Sequence, residues 1–117
     1  MNMEIQSLTL QTLSSALDIA QLRHQVIANN IANANTPGYG TKTVSFSATI
    51  EALKEGGARA GEERVETVVD ANGQAVPIQL DQEMAKMAQN AVHFQALVKG
   101  VNRELSILAS AVSEGKR

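Results

Sequence analysis

Leu10, Leu13, Leu17, Ala20, His24, Ile27, Ile31 and Ala34 follow one another at spacings that alternate between three and four residues, and seven of these eight positions are apolar. This is a heptad seam, narrower than the face of a generic amphipathic helix. The last third of the chain repeats the pattern in Met84, Met87, Ala91, Phe94, Val98, Val101, Leu105, Leu108 and Val112, all nine of them apolar. Ile19, Leu22 and Val26 lie off the first seam, and Val92, Leu97 and Ile107 lie off the second. Each expected helix therefore has more than one face to cover, and the surplus implies partners. Asp81 suits the N-cap of the second helix, and Glu83 in its first turn complements the positive helix end.

Pro37 ends the first helix, because its ring disfavours helical geometry at Thr36. Thr36-Pro37-Gly38-Tyr39 then fits a type II turn, with proline second and glycine third. Farther on, KEGGARAGEER at residues 54–64 reads as a flexible Gly-rich loop. In VETVVDANGQAVPIQL at residues 65–80, Asn72-Gly73 sits between alternating apolar residues, which predicts a short β-hairpin with a type I′ turn. Pro77 confines its strand to an edge.

The chain is thus expected to be mainly α and to form one subunit of 117 residues. A helix covers residues 8–35, an irregular middle with the short β-hairpin covers 36–80, and a second helix covers 81–114. The two helices pair as an α-helical hairpin or coiled coil. Leu13, Leu17, Ile27, Ile31, Phe94, Val98, Val101, Leu105 and Leu108 are the residues expected to pack in the seams.

Composition narrows the function. Hydrophobic residues make up 44% of the chain but aromatics only 3%, so the apolar content suits helix-on-helix packing rather than a large globular core. Ten basic and twelve acidic residues give a net charge of -2 without a basic block, which argues against nucleic acid as a partner. The absence of cysteine excludes a disulfide framework, a thiolate zinc site and a cysteine nucleophile. The N-terminal MNMEIQSLTLQTLSS carries an acidic residue where a secretory signal has basic ones, and it lacks a continuous apolar core. If the chain leaves the cytoplasm, it is expected to do so without a cleaved signal peptide of the ordinary kind. No run approaches the roughly 18 apolar residues of a membrane span.

No constellation of residues carries chemistry. His24 and His93 have no acidic residue three or four positions away to complete a metal-ligand pair. His24, placed on the seam, reads as a partly buried polar residue that helps to fix register. The glycines between positions 56 and 73 are not followed by Gly-Lys-Ser/Thr, so they do not form a phosphate-cradling loop. No nucleophile is paired with a base. The expectation is a non-enzymatic protein with no cofactor, no metal and no small-molecule substrate.

One stretch remains to be explained. Residues 28–39 read ANNIANANTPGY, with four asparagines in twelve residues. Asparagine is a mediocre helix former whose side chain competes for backbone hydrogen bonds, so such a cluster needs a use. Amides beside small residues are suited to fixing register between helices of neighbouring chains, because a misplaced buried amide loses its hydrogen bonds. The stretch Asn29, Asn30, Asn33, Asn35, Thr36, Pro37, Gly38 and Tyr39 resembles the N-terminal motif of the flagellar rod and hook proteins of bacteria. That family pairs its N- and C-terminal helices around a variable middle. The likeness covers residues 10–50 and 78–117, and the short length and the C-terminal stretch are most similar to its proximal rod members.

The resemblance implies a structural subunit of the flagellar basal-body rod, the drive shaft that transmits torque across the periplasm, with the asparagine stretch as its assembly motif. Such subunits leave the cytoplasm through the flagellar type III export apparatus and self-assemble through their terminal helices. The implied partners are other copies of the chain, adjoining rod proteins, the basal-body adaptor and the export gate. The rival reading is a cytoplasmic helical-hairpin adaptor or export chaperone.

Overall fold

A computed structural model describes residues 3–45, 47, 49 and 65–115; the Gly-rich segment at 54–64 lies outside them. Helix α1 spans Met3–Ala32, strand β1 Lys42–Val44, strand β2 Val65–Thr67 and helix α2 Leu80–Gly115. The helices have 30 and 36 residues, about 45 and 54 Å at 1.5 Å per residue. They lie antiparallel in a molecule measuring 65 × 24 × 19 Å. The result is mainly α: two long helices in contact, with a two-stranded antiparallel sheet beside them.

Neither helix has the expected limits. The first starts at Met3, five residues earlier than 8, because no proline or glycine interrupts its beginning and Glu4 complements its N-terminus. It ends at Ala32 instead of 35 because its final turn tightens. The Asn33 N–H is shared between the Asn29 and Asn30 carbonyls at 3.0 and 3.2 Å, and Ala34 N–H reaches back only to Ile31 at 3.3 Å. The second helix begins at Leu80, so Asp81 is a first-turn residue and not the N-cap. The Gln79 carbonyl accepts the first helical bond, from Glu83 N–H at 3.0 Å. Tyr39 N–H donates to the Thr36 carbonyl at 3.2 Å while Gly38 adopts a φ of 80°, the geometry of the expected type II turn.

The sheet departs from expectation in its pairing. β2 pairs antiparallel with β1, with Lys42 opposite Thr67, Thr43 opposite Glu66 and Val44 opposite Val65. The segment after β2 does fold back, through a bridge between Val69 and Ala75, but not around a type I′ turn. That turn needs a positive φ at Asn72, and only glycines adopt one among the described residues. Asp70 instead heads a three-residue loop. Its carbonyl accepts from Gly73 N–H at 3.0 Å and its N–H donates to the Gln74 carbonyl at 2.8 Å. Gly73 takes the left-handed conformation at a φ of 78°. The Asp70 carboxylate selects this loop by accepting the N–H groups of Asn72 and Gln74, at 2.9 and 3.0 Å.

Thr41 joins the two arms. Its N–H donates to Val76 at 2.9 Å, its carbonyl accepts from Val68 at 2.8 Å, and its buried hydroxyl also donates to Val76. The apolar core lies where this β-arm meets α1: Ile19 and Val26 pack with Val44, flanked by Leu22 and Val65.

Candidate functional site

Asn30 is fully buried at the end of α1, where the chain has left the helix and returns as β1. Its side-chain amide imitates a neighbouring strand: Nδ2 donates to the Lys42 carbonyl at 2.8 Å and Oδ1 accepts from Lys42 N–H at 3.1 Å. The second Nδ2 hydrogen goes to Glu83 Oε2 on α2, at 2.9 Å. One amide thus ties together α1, β1 and α2. Glu83 is itself 1% exposed, and its other oxygen accepts from the half-exposed Lys86 at 3.0 Å. The buried carboxylate is therefore both paired and hydrogen-bonded, the condition under which a buried charge is tolerated.

The remaining asparagines divide by role. Asn33 Nδ2 donates to the Asn29 carbonyl at 2.8 Å and Asn33 Oδ1 accepts from the Thr36 hydroxyl at 3.1 Å, so this side chain caps the tightened helix end. The side chains of Asn29 and Asn35 are exposed, as are Thr36, Pro37 and Gly38; Tyr39 is half-buried, with Lys42 Nζ 5.5 Å from its ring centroid. The stretch therefore presents an inward amide, a cap and an outward turn rather than a row of equivalent contacts.

The seam residues are distributed unevenly. On α1, Ile27 is buried and Leu13, Leu17 and Ile31 are half-buried. His24 is exposed and not within the interface; it borders a shallow groove with Gln21, Asn90, Ala91, Phe94 and Gln95. On α2 the face turned to α1 runs through Glu83, Met87, Asn90, Phe94, Leu97, Val101, Glu104 and Leu108, again at alternating spacings of three and four. Val101 and Leu108 are half-buried there, and Phe94 lies at its edge, 37% exposed. Val98 and Leu105, expected in the seam, are 37% and 48% exposed. Polar anchors accompany a shift of the alternate seam positions by one residue, to Glu83, Asn90, Leu97 and Glu104, while Met87, Phe94, Val101 and Leu108 keep their expected places. Glu83 bonds Asn30, and Asn90 Nδ2 donates to the Ala20 carbonyl at 2.8 Å.

A second seam is left outside. Met84, Ala88, Ala91, Gln95, Val98, Asn102, Leu105, Ala109 and Val112 keep the same heptad spacing, all nine are exposed, and none is charged. Asn90, Lys42 and Thr41 are not evident in the sequence, and Glu83 is evident there only as a helix-end acid and not as the buried partner of Asn30. The heptad interval between Glu83 and Asn90 was the available signal, since it places two polar groups on one helix face. No helix among the described residues is long and apolar enough to cross a membrane, and none of their acidic or histidine side chains cluster as a metal site.

Comparison with known proteins agrees with this layout. Residues 10–39 match the family described as Flagella basal body rod protein. Flagellar basal body rod protein FlgB of Bacillus subtilis (strain 168) is 34% identical over 131 aligned positions, covering 97% of this chain and 100% of that protein. FlgB of Proteus mirabilis (strain HI4320) is 24% identical, covering 86% of this chain and 90% of the relative. FlgB of Aeromonas hydrophila is 28% identical, covering 83% and 86%.

Proposed function

The chain belongs to the FlgB family of flagellar basal body rod proteins, a structural family without enzymatic activity, and on that premise we propose that its outward α2 seam is the surface on which it assembles. It is a structural subunit of the proximal rod, located in the flagellar basal body, and it assembles with other rod components. The family match leaves no support for the export-chaperone reading.

The observation that carries the assembly surface is the seam from Met84 to Val112, nine exposed positions without a charge. Those 28 intervals extend about 42 Å along the helix. An uncharged stripe of that length is a poor solvent face and a good helix-packing face. Ala88, Ala91 and Ala109 admit a close neighbour, while Gln95 and Asn102 supply amides that favour one axial arrangement. The occupants are terminal helices of other copies and of adjoining rod proteins, with the basal-body adaptor and type III export gate beneath the first subunits. Delivery occurs through that gate.

Leu105→Asp tests the surface, because a carboxylate in a dry helix contact costs several kcal/mol while the same residue facing water costs little. The variant is expected to be produced and exported at the normal level yet to be missing from purified basal bodies, with motility lost. Normal incorporation would remove the seam from the assembly interface.

A further inference from the structure

We propose that Asn30 is a positioning residue whose bond to Glu83 locks the axial register of the α1–α2 hairpin. The apolar residues do not choose that register by themselves. Met87, Phe94, Val101 and Leu108 recur at seven-residue intervals, so sliding α2 by one heptad lays each of them where its predecessor lay. The buried polar groups break this degeneracy. In the observed arrangement Asn30 meets Glu83, Ala20 meets Asn90, and Leu13 lies against Gly100.

A slip in one direction carries Glu83 beyond the end of α1 and sets Leu97 against the Ala20 carbonyl. A slip in the other sets Glu83 against that carbonyl, acceptor facing acceptor. The first move also lays Asn90 where Glu83 lay, so Asn30 trades a charge-assisted bond for a neutral amide contact and the Ala20 carbonyl loses its amide donor; the second leaves Asn30 without Glu83 and Glu83 without a donor on α1. Because Asn30 also holds both polar groups of the Lys42 backbone, the same amide ties the β-arm to the chosen register. A one-heptad slip displaces one helix against the other by about 10 Å, which would carry the outward seam past any neighbour built to match it. The lock itself belongs to the single chain, so its failure and failure of the assembly surface are separate results.

The chain has no native cysteine, so two introduced thiols report register without ambiguity. A Cβ on Gly100 would stand 3.4 Å from Leu13 Cδ2, an ordinary contact; Leu13→Cys with Gly100→Cys therefore reports the native register. Leu13→Cys with His93→Cys, or with Ile107→Cys, reports the two slipped ones. Intramolecular disulfide formation is followed in the dilute full-length chain.

The native pair is expected to close on the order of tenfold faster than either slipped pair. Asn30→Asp, which turns the donor into a second carboxylate facing Glu83, should clearly narrow the difference between the three rates, leaving only the preference that the Asn90 bond to Ala20 and the Leu13–Gly100 contact maintain. Adding Glu83→Gln should restore part of the preference, because the glutamine amide donates to the new aspartate and Lys42 N–H keeps its acceptor, although the Lys42 carbonyl still lacks its donor. An unchanged preference in Asn30→Asp overturns the lock. So does failure of Glu83→Gln to recover any of it, the behaviour of a chain that Asn30→Asp has merely unfolded.

Discussion

Gly40 passes so close to Ala75 that a methyl group on the glycine would stand 2.7 Å from the alanine Cβ. Thr67 Cγ2 would crowd the same methyl at 3.1 Å. This approach lets Gly40 bridge to Pro77 and brings Thr41 between the two arms. Gly40→Ala is therefore expected to destabilise the β-arm by about 1–3 kcal/mol, the usual cost of forcing extra carbon into a filled space. Ala75→Gly should recover most of the loss, since it removes the nearer obstacle. Amide exchange at Thr41, Val68 and Val76 measures both effects, and equal protection in Gly40→Ala and wild type would show that the contact relaxes without cost.

The Asp70 carboxylate makes a second local prediction. It accepts two backbone N–H groups in an exposed turn, where water replaces much of what is lost. Asp70→Ala should cost about 0.5–1.5 kcal/mol locally and speed exchange at the Asn72 and Gln74 amides. Asp70→Asn keeps an acceptor oxygen and should stay close to wild type. Equal acceleration in both variants would mean that the negative charge, and not the acceptor, holds the loop.

Four asparagines that look alike in sequence should behave differently. Asn33→Ala removes the cap on the Asn29 carbonyl and the acceptor of the Thr36 hydroxyl. Better helix propensity offsets part of this, so the net cost should stay within about 1 kcal/mol. Asn29→Ala and Asn35→Ala alter exposed side chains and should leave thermal unfolding within about 0.5 kcal/mol of wild type. Any effect of those two on motility would then arise at a surface met only in the assembled rod. A large loss of stability in Asn29→Ala would contradict this division.

The asparagine stretch also marks how far the sequence could be read. Its turn was legible because Pro37 and Gly38 each restrict the backbone locally. The use of its amides was not, because Asn30 finds its partners at Lys42 and Glu83, across a loop and a whole middle segment. The helices were legible from periodicity alone. Their mutual face was legible in part, since Met87, Phe94, Val101 and Leu108 lie in it, but hydrophobicity favours Val98 and Leu105 over Glu83 and Asn90 at the alternate positions. Polar burial decides the matter, and only a partner across the interface makes polar burial affordable. The β1–β2 pairing was hidden for a simpler reason. Lys42-Thr43-Val44 is too short to show alternation, whereas Asn72-Gly73 advertised a local hairpin whose turn Asp70 then redirected.

Adjacent residues on α2 provide the sharpest test of the two stripes. Leu97 is half-buried on the face toward α1, while Val98 is exposed on the outward seam. Leu97→Asp places a carboxylate between the subunit's own helices, so the purified chain should lose helicity and its unfolding free energy should fall by several kcal/mol. Val98→Asp falls outside the stripe that carries Glu83, Asn90 and Leu97, so the chain should lose far less stability than Leu97→Asp, within about 1 kcal/mol, and still be absent from purified basal bodies. Both variants should abolish motility, but for different reasons: the first lacks a folded hairpin and the second lacks a neighbour able to accept it. The pair separates fold from assembly because the substitutions share chemistry and differ in position by one residue. If Val98→Asp unfolded the chain as severely as Leu97→Asp, the helices would pair through the other stripe, and Glu83 and Asn90 would have lost their role in orienting α2.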